Sequence, residues 1–84
     1  MTKTQANTLV RALVKRFGGK AEFEPINGRG RYRFAITSKR FSKVPQLKRQ
    51  DQVWEVVDEV LPRDAILDVS LILAFDPADL VTSK

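Results

Sequence analysis

Eighty-four residues, 43% of them apolar, suffice for one small domain with a single thin core that hides roughly 60–65% of the unfolded surface. Charged residues make up 30% of the chain and no low-complexity run interrupts it, which argues for a folded chain. The longest apolar run, Leu71–Phe75, is too short to span a bilayer.

There is no Cys and no His, which excludes a good deal. Disulfides, Ser–His and Cys–His nucleophile pairs, imidazole bases and His/Cys zinc or iron–sulfur sites are all impossible. No phosphate-binding GxxxxGK[ST] loop is present, and the Gly28–Gly30 GxG is not followed by a helical pattern. The carboxylates are scattered over polar faces, with no convergent acid/base pair. The expectation is a non-enzymatic domain over residues 1–84, without cofactor or metal. Residues 1–20 lack the apolar core of a secretory signal, so a cytoplasmic location is the default.

Net charge is +5, but the halves differ. Residues 1–49 carry 13 Lys/Arg and two acids, whereas residues 50–84 carry two Lys/Arg and eight acids, giving +11 against −6. Either the halves neutralise each other within the fold, or one surface has an anionic partner.

The first element is a helix from about Thr4 to Phe17, with Leu9, Val10, Leu13, Val14 and Phe17 on one stripe. Thr2 and Gln5 fit a capping box, and Gly18-Gly19 a left-handed stop. Lys15 and Arg16 complement the helix dipole in its last turn. A hairpin follows, Ala21–Ile26 and Arg31–Ser38, around the Asn27-Gly28 turn signal. Pairing Ile26 with Arg31 sets Phe23 opposite Phe34 and Glu24 opposite Arg33, with Ala21, Phe23, Tyr32, Phe34 and Ile36 on the core face. Pro25 lacks an N–H, so this strand is an edge. Arg33 pairs with Glu24, which leaves Arg29 and Arg31 free for a phosphate.

A basic loop with Lys39, Arg40, Lys43, Lys48 and Arg49 leads into a second helix. Pro45 opens that helix and Pro62 ends it at Leu61, with Val53, Trp54, Val57, Val60 and Leu61 as its apolar stripe. Phe41 either anchors the loop or stacks on a base, and the anchor is preferred. Asp58 and Glu59 read as a solvated face relieved by Arg63, the alternative being an acidic contact patch. A strand over Ile66–Phe75 runs parallel to the second strand, with Leu67, Val69, Leu71, Leu73 and Phe75 inward and Asp68 and Ser70 outward. Asp76-Pro77 begins a short terminal helix through about Val81. The fold class is α+β in the order α-β-β-α-β(-α), a two-layer sandwich with a three-stranded mixed sheet and helices on one face.

From about Thr8 to Leu80 the chain resembles the BolA family. The resemblance rests on Ser38-Lys39-Arg40-Phe41, on Lys48-Arg49 ahead of Val53-Trp54, on Leu61, on Val69-Ser70-Leu71 and on Asp76-Pro77-Ala78-Asp79-Leu80. The matching motif positions are Ser38, Phe41, Arg49 and Val53, while Gln50 stands where the family has its signature His. The resemblance implies a class II KH-like fold, a transcriptional or stress-response role through nucleic-acid binding, and pairing with monothiol glutaredoxins around a [2Fe–2S] cluster. Without a His or Cys this chain supplies no ligand to such a cluster. The expectation is therefore a nucleic-acid-binding face, DNA or RNA, made of Arg29, Arg31, Lys39, Arg40, Lys43, Lys48 and Arg49. The alternative is an adaptor that docks a monothiol glutaredoxin or another partner.

Overall fold

A computed structural model describes residues 1–26 and 30–80. The Asn-Gly turn, Arg29 and Val81 lie outside these described residues. Helix α1 spans Lys3–Phe17 and strands β1 and β2 span Lys20–Ile26 and Arg31–Thr37. A 3₁₀ turn at Lys39–Phe41 leads to helix α2, Gln46–Val60, then to a one-turn helix α3, Arg63–Ile66. Strand β3 covers Val69–Phe75, and a 3₁₀ turn follows at Pro77–Leu80.

Helix α1 forms where the sequence places it. The Thr2 side chain accepts from the Gln5 N–H and the Gln5 side chain accepts from the Thr2 N–H, completing the capping box. Gly18 and Gly19 both take positive φ. At Gly19 a Cβ would collide with the Thr37 carbonyl oxygen, so only glycine lets α1 turn this tightly into β1.

The sheet order is β1-β2-β3. The hairpin register is the expected one, with Phe23 facing Phe34 and Glu24 facing Arg33, and β1 is an edge. Strands β2 and β3 are parallel. One core joins Ala6, Leu9, Leu13 and Phe17 of α1 to Phe34, Ile36, Ile72 and Ala74 of the sheet and to Val53, Val56 and Val57 of α2.

The expectation for β3 needs correction in two respects. The strand begins at Val69 rather than Ile66, because Pro62 starts the extra helical turn of α3 and carries residues 63–66 with it. Its facing is also reversed beyond Val69. Tyr32 pairs with Val69 but Arg33 pairs with Leu71, so Ser70 is an extra residue in the ladder. A one-residue slip exchanges the two faces of a strand. Ile72 and Ala74 consequently point into the core, while Leu71 and Leu73 are 39% and 44% exposed and Leu67 is 77% exposed.

Helix α2 does end at Pro62, with Leu61 as its cap. Its Glu59 is not relieved by Arg63. Arg16 of α1 reaches across to Glu59 at 2.7 Å and to Glu55 at 3.2 Å, clamping the two helices together. Arg16 is thus more than a partner for its own helix dipole.

Candidate nucleic-acid interface and its anchored loop

The basic loop is held from beneath by the residues that carried the family resemblance. Ser38 is buried; its Oγ donates to the Phe17 carbonyl at 2.5 Å and accepts from the Arg40 N–H, capping the 3₁₀ turn. Phe41 is fully buried, with its ring centroid 5.0 Å from that of Phe17. The anchor role for Phe41 is therefore the one the structure has, and its face is not available to a base. Val53 lies in the core.

Arg49 does not join the surface expected of it. Its side chain is almost wholly buried. Nε donates to the Val44 carbonyl at 2.7 Å, while one terminal nitrogen donates to the Ala74 carbonyl at 3.1 Å and to the Asp79 carboxylate at 2.9 Å. The guanidinium also stands 5.9 Å from the centre of the Phe41 ring. It ties together the loop, α2, β3 and the terminal turn, and its burial keeps it off the surface a phosphate would approach. The signal was present in the sequence: Arg49 lies four residues before Val53, on the apolar stripe of α2. The Asp79 carboxyl is held below the usual carboxylate range by the backbone N–H of Asp76 and then by Arg49.

What remains outside is a set of four cations on the loop and the first turn of α2. Lys39, Arg40, Lys43 and Lys48 are all exposed, and none forms a salt bridge among the described residues. Lys43 has φ 63°, a left-handed conformation that costs a non-glycine residue about 1–2 kcal/mol. Lys48 lies in the first turn of α2, whose N-terminus has no acidic residue and no side-chain cap. That end of the helix dipole favours an anion. Arg40 also lines a cleft with Arg16, Phe17, Gln52 and Glu55, where Arg16 is already neutralised by its two glutamates.

Arg31 is exposed but does not converge with this cluster. It opens β2, whereas Lys39 follows the end of the same strand. Eight residues at about 3.3 Å each put roughly 25 Å between them. Arg33 is paired with Glu24 as expected.

Gln50, at the family's His position, is half-buried and fully engaged. Its Nε2 donates to the Ile72 carbonyl at 2.9 Å, and its Oε1 accepts from the Trp54 indole at 3.2 Å. An amide fixed at both ends, in a chain without His or Cys, does not fit a [2Fe–2S] ligand set.

No protein-family model matches this sequence, and no curated protein matches it. Solved structures do. BolA1 from Arabidopsis thaliana superposes with a TM-score of 0.71 at 16% identity, over 95% of this chain and 100% of the other. The BolA domain of SufE1 from Arabidopsis thaliana gives a TM-score of 0.72 at 17% identity, again over 95% and 100%. The chain has the BolA fold. Within that BolA-like frame the motif residues Ser38, Phe41, Arg49, Gln50 and Val53 are load points of the architecture, and the unpaired cations stand on top of them.

Proposed function

We propose that the chain works as a single non-enzymatic BolA-like domain that binds the phosphate backbone of a nucleic acid through Lys39, Arg40, Lys43 and Lys48. The observation that carries this reading is four exposed cations without a salt bridge among the described residues, on the loop pinned by Phe41 and Ser38 and in the first turn of the uncapped α2. Arg31, with Arg29 beside it in sequence, forms a second contact one strand length away, and Arg49 is a support. Such contacts give affinity and orientation without reading bases. The biological role would be of the transcriptional or stress-response type.

Titration of labelled duplex DNA and single-stranded RNA, followed by fluorescence anisotropy over a range of salt, tests it. The four loop contacts at about 0.9 each contribute roughly −3.6 to the slope of log K against log salt for duplex DNA, and contacts at Arg31 and Arg29 steepen it further. No binding at low salt would remove nucleic acid as the ligand.

A second reading is that of an adaptor for a monothiol glutaredoxin or another protein, without an iron–sulfur ligand of its own. Leu47, 81% exposed in the first turn of α2, favours it, because an apolar side chain beside the cations suits a protein surface better than a phosphate. The fold also occurs as a domain of a larger named protein, SufE1.

A further inference from the structure

The two edges of the sheet are finished differently. The Tyr32 and Ser38 N–H groups donate to the Asp68 and Phe75 carbonyls, so the even-numbered residues of β2 bond toward β3 and the odd-numbered ones toward β1. Arg31, Arg33, Ala35 and Thr37 pair with Ile26, Glu24, Glu22 and Lys20. That leaves the backbone groups of Ala21, Phe23 and Pro25 directed out of the sheet, and Pro25 has no N–H to present there. Among the described residues, no loop or cap backbone bond reaches Ala21 or Phe23. Strand β3 is the opposite case. The Phe75 carbonyl faces β2, so those of Ile72 and Ala74 face outward, and they are taken by Gln50, Gln46 and Arg49 of α2. The outward carbonyls of one edge are taken by side chains, while the other edge is open.

We infer that the open edge of β1 pairs antiparallel with β1 of a second copy of this chain, joining two three-stranded sheets into one of six strands. Charge selects this occupant. If Ala21 faces Ala21 of the second copy, the two exchange both N–H···O bonds, and Lys20 stands opposite Glu22 of the second copy on each side of the axis. All four side chains are exposed. The next alignment, Ala21 against Phe23, would set Glu22 against Glu22, which like charges disfavour, and would oppose Lys20 only to a Glu24 already paired with Arg33. Charge thus favours the register centred on Ala21, the one without a like-charge pair.

Helix α1 supplies an apolar flank. Arg16 marks the side of α1 that faces α2. At about 100° per residue, Val10 and Val14 fall roughly 120° and 160° away from Arg16, on the side turned from α2. Both are half-buried, as are Ala21 and Phe23. A twofold axis perpendicular to the sheet keeps both α1 helices on one face and brings these valines toward their counterparts. In this register Phe23 reaches Gly19 of the second copy, just ahead of its β1, so the contact is short and the dimer is weak.

Sedimentation equilibrium of the full chain, near 0.15 M salt and from about 10 µM to 1 mM, should show the mass rising from 9.5 kDa toward twice that value. Glu22→Lys places like charges opposite each other and should raise the dissociation constant at least roughly tenfold, and adding Lys20→Glu should restore the dimer. The Ala21 and Phe23 amides should gain hydrogen-exchange protection with concentration. A chain that stays at 9.5 kDa throughout overturns the inference, including the case in which a strand of another protein takes the edge. A dimer that survives Glu22→Lys, or one abolished by Leu73→Ser on β3, the far strand of the sheet, overturns it as well.

Discussion

Gln50 Nε2 donates to the Ile72 carbonyl oxygen at 2.9 Å, so a side chain of α2 occupies the outer edge of β3. Gln46 and Arg49 do the same at Ala74. The polar residues of the first two turns of α2 thus serve the sheet, which leaves the neighbouring lysines for solvent and for whatever binds there.

Arg49→Ala should destabilise the domain by about 1–3 kcal/mol, because it strips the Val44 carbonyl of its partner, leaves Ala74 to Gln46 alone and frees the Asp79 carboxylate. Denaturant unfolding measures this. Arg49→Lys should rescue only part of the loss, since an ammonium cannot reproduce the fork that reaches Val44 and Ala74 together.

Phe41→Ala should cost about 3–5 kcal/mol by opening a cavity against Phe17. Phe41→Leu should cost clearly less and keep the basic loop in place. If nucleic-acid binding survives Phe41→Leu but falls in proportion to unfolding for Phe41→Ala, the ring is an anchor and not a stacking platform.

The phase of β3 can be tested by a pair of substitutions. Ile72→Ala should lose about 2–4 kcal/mol, whereas Leu73→Ser should change stability by less than about 1 kcal/mol because Leu73 is 44% exposed. The reverse order would place the bulge elsewhere than at Ser70.

Asp79 links stability to pH. Its folded pKa is depressed, so the contribution of its charged form is fully present above the unfolded pKa and is lost as pH falls through the folded value. The loss should begin from roughly pH 4 downward. Thermal melts of Asp79→Asn should be lower than wild type at neutral pH and should converge with it in acid.

The legibility of these features in the sequence follows physical lines. The capping box, the Phe23–Phe34 register and the edge position of Pro25 are local or period-two signals, and each appears in the structure. The facing of β3 was not legible, because Leu71–Phe75 is apolar without interruption and carries no alternation to reveal the extra residue at Ser70. The Arg16 clamp joins residues about forty positions apart, so no local pattern announces it. Arg49 was misplaced for another reason: its charge suggested a surface, although its spacing from Val53 already placed it on the buried stripe.

The most direct test of the central claim compares salt slopes for wild type and for the variant Lys39→Ala, Arg40→Ala, Lys43→Ala, Lys48→Ala. All four residues are exposed and form no salt bridge among the described residues, so the variant should fold, which circular dichroism will show. The account predicts that the wild type binds labelled duplex with a slope at least as steep as about −3.6, and that the variant loses roughly 3.6 of that slope, about 0.9 per contact, together with most of the affinity. A folded variant that binds like the wild type would contradict it.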